Sequence, residues 1–319
     1  MNNSKIILAG CGNIGRRYLE SISKIKNKLF VIVIDTDDKS LDIAKKMWAT
    51  NFLSCGHDIQ FVRKIESKEL IVDLVIIATN SFERKDVIKD IKLKTKTDYW
   101  ILEKILVQCK EDLEIIKFYT SNSKNVWVNM PRREMSWFKK LKKKFHGQGP
   151  LSINLRGGLW EMACCALHYI DLVDFWSGEK VDFIDTTGLN TSWLKSKRPG
   201  YFEVTGKMII KFLGGSELIL ESYDNIFTNI INVSLMNNEK WLIDEINGTA
   251  VSSHGQSLNG KLEYLSQTSE IIIKKILSIG KCELPSLQES ITHHSIFLDA
   301  MLNHWNYSNK CNDKLVPIT

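Results

Sequence analysis

The sequence has no apolar run approaching the ~18 residues of a membrane-spanning helix, which argues against an integral helical membrane protein. Its first residues pass from a few polar side chains straight into a strand-like run, with no leader pattern, so a cytoplasmic location is expected. Seven cysteines, an odd number, are scattered without any Cys-x-x-Cys spacing; reduced thiols are expected rather than a disulfide framework or a zinc knuckle. Cys164 and Cys165 are adjacent, a poor geometry for two ligands of one tetrahedral ion, and no metal is expected. Internal repeats and low-complexity tracts are absent. The net charge of +6 is modest, and its densest source, Lys139-Lys140-Leu141-Lys142-Lys143-Lys144, has no interleaved aromatics. That run reads as a solvated helix face that can also attract an anionic substrate, rather than as a nucleic-acid site.

What the sequence does contain is concentrated at its start. The apolar run Lys5-Ile6-Ile7-Leu8-Ala9 leads directly into Gly10-Cys11-Gly12-Asn13-Ile14-Gly15, with a helix-like segment behind it. In a Gly-x-Gly-x-x-Gly turn the first glycine permits the tight strand-to-helix reversal, the second lets backbone approach a pyrophosphate, and the third lets the helix pack closely on the strand. The helix N-terminus then presents N–H groups and a positive dipole end to the phosphates. A second buried strand, Leu29-Phe30-Val31-Ile32-Val33-Ile34, ends at Asp35, about 20 residues beyond the last glycine, where such folds place a ribose-binding carboxylate. A carboxylate there accepts from ribose hydroxyls and repels a 2′-phosphate, so NAD is favoured over NADP. The ordinary alternative makes Gly10–Gly15 a plain turn and Asp35 a helix cap; an S-adenosylmethionine site is also compatible with a Gly-rich first loop, but less so with the third glycine and Asp35.

With 319 residues, two domains are expected: a doubly wound parallel sheet over residues 1–124, binding NAD, and an α+β domain with a mostly antiparallel sheet over residues 125–319. A strand ending at Ala78-Thr79-Asn80 and another ending at Leu102-Glu103-Lys104 put small polar and charged residues on the rim where open α/β sheets bind ligands. After about residue 149 the pattern reads as one amphipathic helix, residues 161–177, followed by β-rich stretches, with a last helix over residues 287–303. Lys104 and His168 are the candidate catalytic pair. An ammonium at a strand end can steady negative charge on a substrate oxygen, and an imidazole can exchange a hydroxyl proton. Asp171, three residues beyond His168 on the same helix face, is suited to hold one tautomer. Arg132 and Arg133, after Pro131, could clamp a carboxylate or phosphate or be plain surface cations. Trp160 could face a sugar ring or simply fill a core.

Taken in order, the glycine loop, Asp35, Ala78-Thr79-Asn80, Leu102-Glu103-Lys104 and His168-x-x-Asp171 resemble the Gfo/Idh/MocA family of NAD(P)-dependent sugar oxidoreductases. Leu102-Glu103-Lys104-Ile105-Leu106, Asn129-Met130-Pro131-Arg132-Arg133, Ala163-Cys164 and the terminal Pro317-Ile318-Thr319 are similar to a branch found in bacterial surface-polysaccharide and nonulosonic-acid gene clusters. The resemblance implies an N-terminal Rossmann domain, a C-terminal domain whose open sheet serves homo-oligomerisation, and an active site between them. It implies an NAD cofactor held by Gly10, Gly12, Asn13, Ile14, Gly15, Asp35, Thr79 and Asn80, with Glu103 beside the nicotinamide ribose. It further implies Lys104 in substrate polarisation, His168 as general acid/base, a sugar or sugar-acid substrate near Arg132, Arg133, Trp160, Cys164 and Asp171, and a role in cell-surface glycan synthesis. Two departures stand out: Ile105 replaces the proline of a Glu-Lys-Pro motif, and Cys164 stands where many family dehydrogenases have an Asp four residues before the His. A thiol does not reproduce a carboxylate's hydrogen bonding. A sensor or scaffold that binds dinucleotide and sugar without turnover therefore stays open, as does glycoside cleavage through transient oxidation by tightly held NAD.

Overall fold

Six short strands assemble one parallel sheet. In the computed structural model, which describes residues 3–66, 69–224 and 230–319, the strands are β1 (Ser4–Ala9), β2 (Leu29–Ile34), β3 (Asp58–Val62), β4 (Leu70–Ile77), β5 (Thr95–Leu102) and β6 (Asn125–Val128). They lie in the order β3-β2-β1-β4-β5-β6, each neighbouring pair parallel, so the direction of winding reverses between β1 and β4. Ile6 and Leu8 enter one core and Ile7 and Ala9 face the other way, yet all four are at most 1% exposed; burial on both faces is why β1 reads as a continuous apolar run. Helices α1 (Asn13–Ser23), α2 (Asp38–Asn51), α3 (Arg84–Lys94) and α4 (Glu111–Thr120) connect the strands. The Asp37 carboxylate caps α2 by accepting the Lys39 and Ser40 N–H groups at 3.3 and 3.2 Å.

A second, eight-stranded sheet has the order β16-β15-β14-β13-β7-β12-β11-β8. Its strands are β7 (Ser152–Gly157), β8 (Val181–Asp185), β11 (Gly206–Phe212), β12 (Glu217–Ser222), β13 (Ile230–Ser234), β14 (Lys240–Asp244), β15 (Thr249–Ser252) and β16 (Ser257–Asn259), while β9 (Leu194–Lys195) and β10 (Phe202–Glu203) form a separate two-stranded hairpin. Only β7 and β12 pair in parallel; the other neighbours are antiparallel. The alternation is clean: Met208, Ile210, Leu218 and Leu220 are fully buried, and Ile209 and Ile219 lie on the opposite face. Helix α5 (Ser136–Phe145) buries Trp137, Phe138, Leu141 and Phe145 and leaves Lys140, Lys143 and Lys144 in solvent, the solvated face expected of the lysine run. Helix α6 (Met162–Ser177) departs from the amphipathic expectation, because it is buried on nearly every side. It ends at Gly178, whose φ of +81° suits a left-handed cap.

The chain divides into two compact units, one made of residues 1–106, 114–134 and 263–287, the other of residues 107–113, 135–262 and 288–319. Helix α7 (Leu265–Ile279) thus belongs with the parallel sheet, where Ile272, Ile273 and Ile276 join Leu19 and Ile22 of α1 in one core and Ser21 Oγ donates to the Ser266 carbonyl. Helix α8 (Leu287–Asn309) lies almost entirely with the antiparallel sheet and runs beyond the expected end at residue 303. Among the described residues no helix is long and apolar enough to cross a membrane.

Candidate active site

At the carboxyl ends of β1, β2 and β4 a pocket of about 640 Å³ is lined by Gly10, Gly12, Asp35, Asp37, Arg63, Lys64, Thr79 and Asn80, among others. The three glycines of the loop differ in what a side chain would meet. A Cβ on Gly10, whose φ is +88°, would lie 2.8 Å from the Ala78 carbonyl carbon, and one on Gly15 would lie 1.9 Å from the Gly10 carbonyl oxygen. A Cβ on Gly12 would meet nothing within 4 Å. Gly10 and Gly15 are therefore needed by the turn itself, whereas Gly12 borders open space at the start of α1, which no side chain caps. That opening beside helix N–H groups is the cradle a pyrophosphate requires. Asn13 Oδ1 accepts from Arg16 at 2.6 Å and Arg16 also donates to the Cys11 carbonyl at 3.0 Å, fixing the loop, while Ile14 packs on the core.

Asp35 follows β2 and reaches back over the loop: one carboxylate oxygen accepts the Cys11 N–H at 2.8 Å, the other the Asp37 N–H at 3.0 Å. A carboxylate has about four acceptor sites, so both oxygens retain capacity for ribose hydroxyls. The residues present fit a dinucleotide. Burial, reinforced by Asp35, pushes the neighbouring Cys11 thiol up to about 12 and leaves it protonated and unreactive.

Beyond β4 and β5 lie Thr79, Asn80, Glu103 and Lys104. Asn80 Oδ1 accepts the Glu83 N–H at 3.1 Å and shapes the entry to α3. Glu103 is 8% exposed and receives two short hydrogen bonds on Oε1, from Tyr18 Oη and Asn129 Nδ2, each at 2.6 Å. Burial and the Glu103 carboxylate hold the Tyr18 hydroxyl well above its ordinary range, so it acts as a donor. Arg84, 1% exposed, donates to the carbonyls of Thr79 and Ile105 and so ties together the segments after β4 and β5, next to the half-buried Lys104. The Lys104–Ile105 peptide is cis, although Ile105 is not a proline. Tyr18 and Arg84 are not evident in the sequence: a tyrosine in the apolar stripe of α1 reads as core, and an arginine in a first helical turn reads as surface.

Of the remaining candidates, Arg132 and Arg133 belong to the first unit and the others to the second. Within α6 only Cys164, Cys165, His168 and the terminal Ser177 escape full burial, so the first three form a half-exposed strip on an otherwise enclosed helix. Asp171 is 2% exposed, and its carboxylate gathers with those of Asp174 and the His293 imidazole of α8, all ligand atoms within 4.8 Å of one another. Lys180 Nζ lies 2.7 Å from Asp174 Oδ2 and His293 Nε2 lies 3.4 Å from it, so an ammonium group already faces this cluster. Trp160 is committed to structure on one side, donating to the Glu221 carbonyl at 3.0 Å and meeting Tyr169 edge-on at 5.5 Å. Arg132 and Arg133 form a single 3-10 turn after Met130 in the first unit, with Arg133 buried and Arg132 half-buried. Glu203, unforeseen from the sequence, accepts the Cys164 N–H at 3.3 Å, and burial, aided by Cys164, pushes its carboxyl up to about 8.

No protein-family model matches this sequence, and no curated protein matches it. Solved structures do share its fold. The UDP-N-acetylglucosamine 3-dehydrogenase of Acidithiobacillus ferrooxidans is 11% identical and superposes with a TM-score of 0.67 over 97% of this chain and 100% of its own. A scyllo-inositol dehydrogenase of Lactobacillus casei, crystallised with NAD(H) and scyllo-inositol, is 13% identical with a TM-score of 0.64 over 96% and 98% of the two chains. An oxidoreductase of Agrobacterium radiobacter in complex with NAD+, L-tartaric acid and magnesium is 13% identical with a TM-score of 0.68 over 95% and 96%. The architecture of this chain, a Rossmann-type parallel sheet and a mostly antiparallel one, is the architecture of those structures.

Proposed function

We propose that this chain is a Gfo/Idh/MocA-type, NAD-dependent oxidoreductase that moves a hydride between nicotinamide and a hydroxyl or keto carbon of a sugar or sugar acid, in cell-surface glycan synthesis. The observation that supports this most directly is the loop of Gly10, Gly12 and Gly15: two glycines demanded by the turn, one opening onto a pocket that also holds Asp35. Bound NAD would supply the hydride acceptor. The loop and the start of α1 would hold the pyrophosphate, Asp35 the adenosine ribose, and Thr79, Asn80 and Glu103 the nicotinamide half. Tyr18 and Asn129 would keep Glu103 oriented. His168 takes the hydroxyl proton in the oxidation direction, and Lys104 steadies the developing alkoxide; reduction of a keto group reverses both steps. Arg132 and Arg133 are the cations assigned to an anionic group of the substrate, and the antiparallel sheet is the self-association face.

The test is calorimetric titration with NAD, then anaerobic incubation with a panel containing UDP-N-acetylglucosamine, uronic acids and inositols while NADH absorbance is followed. Wild type is expected to bind NAD and reduce it with at least one member. Lys104→Ala and His168→Ala each lose turnover by about a thousand-fold or more while NAD affinity changes less than about three-fold. Full activity of His168→Ala overturns the acid/base role. Cys164, in place of an Asp, favours a second reading, a sensor that binds cofactor and sugar without turnover; in it the cofactor's redox state stays fixed with every candidate sugar. Turnover of a glycoside without net NADH marks the glycoside-cleaving alternative.

A further inference from the structure

The half-exposed strip of α6 consists of Cys164, Cys165 and His168 and contains no carboxyl group, although its helix is the one proposed to bear the acid/base histidine. A carboxyl group nevertheless reaches it from another element. β10 lies against α6, and Glu203 Oε2 sits 3.3 Å from the backbone nitrogen of Cys164, one helical turn before His168. We propose that Glu203 supplies the carboxyl group that binds a substrate hydroxyl beside His168, doing from β10 what a thiol at position 164 cannot. This rests on the oxidoreductase reading above and adds to it the specificity-determining group for a polyhydroxylated substrate.

Three observations support the assignment. Glu203 is only partly enclosed, not sealed in the core. The α6 backbone uses part of its acceptor capacity, and a carboxylate with about four acceptor sites keeps others for a hydroxyl. The neighbouring charge is organised so as not to neutralise it. Glu161, at the entry to α6 with a φ of +59°, is the other acid that faces Glu203, and it is paired with Lys197 of the β9–β10 hairpin at 2.7 Å. Cys164 is the titratable residue whose backbone N–H Glu203 accepts, Cys165 acts electrostatically on Lys197, and β9 places the apolar Leu194 opposite Glu203.

Because burial pushes Glu203 up to about 8, the carboxyl is largely neutral at pH 7 and ionised at pH 9. An ionised carboxylate accepts a hydroxyl proton in a charge-assisted bond, stronger than the neutral acid's. KM for a substrate from the panel should therefore fall several-fold between pH 7 and pH 9 in wild type. Glu203→Gln should raise KM at pH 9 and flatten that profile. Glu203→Leu should raise KM about ten-fold or more at pH 9 with kcat changed less than about three-fold. Thermal melts of both variants monitor the fold. An unchanged KM profile in Glu203→Gln, or an unchanged KM in a folded Glu203→Leu, overturns the proposal.

A second measurement needs no substrate and so separates this proposal from failure of the oxidoreductase reading. In a Cys165→Ser background, the rate of Cys164 alkylation by iodoacetamide is followed by peptide mass spectrometry from pH 6.5 to 9.5. Burial keeps Cys11, Cys109 and Cys282 protonated, with values raised to about 12, 11 and 12, so they contribute little. Removing the Glu203 charge should speed Cys164 alkylation several-fold above pH 8. Identical rates in Glu203 and Glu203→Gln proteins mean that the carboxyl does not share the accessible surface of Cys164, and the proposal fails.

Discussion

Gly12 and Gly15 are three residues apart, yet a methyl group added to each would do opposite things. At Gly15 the new Cβ would collide with the Gly10 carbonyl oxygen at 1.9 Å, and backbone has to move. Overpacking of this kind costs about 1–3 kcal/mol, so Gly15→Ala should lower Tm by several degrees even without cofactor. At Gly12 the φ of −62° is open to any residue and the Cβ would meet nothing within 4 Å, so Gly12→Ala should melt within about 1–2 °C of wild type or slightly above it. Its defect should be confined to NAD, with Kd raised about ten-fold or more in calorimetric titration, because the methyl group occupies the space proposed for the pyrophosphate. Wild-type NAD affinity in Gly12→Ala would remove the cradle from the mechanism. At this scale the sequence was most readable, since the glycine spacing, Asp35 and the strand between them are local features whose geometry follows from backbone sterics. Tyr18 on Glu103 and Glu203 on Cys164 were not readable, because their partners are 85 and 39 residues away and nothing in either local pattern marks them.

Elements were legible to the degree that their burial was one-sided or complete in apolar residues. β1, β2 and the carboxyl-terminal halves of β4, β5 and β6 declared themselves as apolar runs, whereas β3, Asp58-Ile59-Gln60-Phe61-Val62, alternates polar and apolar residues and did not. Helix α7 did not, because the first half of its buried stripe is Ser266, Thr268 and Ser269, hydroxyl residues that weaken the apolar period before Ile272, Ile273 and Ile276 restore it. Helix α6 misled in the other direction: its half-exposed strip is confined to the first two turns, and beyond His168 nearly everything is buried, including two aspartates. Those aspartates join α6 to α8. Asp174, 5% exposed, meets Lys180 at 2.7 Å and His293 at 3.4 Å, and Lys180 also lies 3.8 Å from Glu289 of α8. Breaking a fully buried ion pair typically costs about 3–5 kcal/mol; with the Lys180 side chain 36% exposed and able to rehydrate, Asp174→Ala should cost nearer 2 kcal/mol. Urea unfolding of the full chain measures this. A loss below about 0.5 kcal/mol would show that α6 and α8 are held by apolar packing alone.

Across the whole chain, neither unit is a continuous segment: each gathers three stretches, and α7 joins the parallel sheet after the entire antiparallel sheet has been made. Sequence patterning identifies strands and helices but not which of two cores a late helix enters, since either core would accept its apolar side. The antiparallel sheet raises the same question for its second face. Ile209 pairs with Ile219 across β11 and β12, and Leu242 with Val251 across β14 and β15, all on the face opposite Met208, Leu218 and Trp241. Leu242 is 49% and Val251 46% exposed, and Phe183 on β8 is 58% exposed. On that face these apolar residues alternate with Lys207, Lys211, Glu217, Glu221, Asn154 and Asn232, a mixed surface that an isologous contact with a second copy can bury with its charges paired. The proposed homo-oligomer should therefore appear as a dimer or larger species by light scattering at micromolar concentration. Replacing both Leu242 and Val251 by Lys would set two ammonium groups per copy against each other across a two-fold contact, shifting the species towards monomer while far-UV circular dichroism and NAD affinity stay at wild-type values. A monomeric wild-type protein, or a double variant with undiminished mass, would mean that this face meets something other than itself.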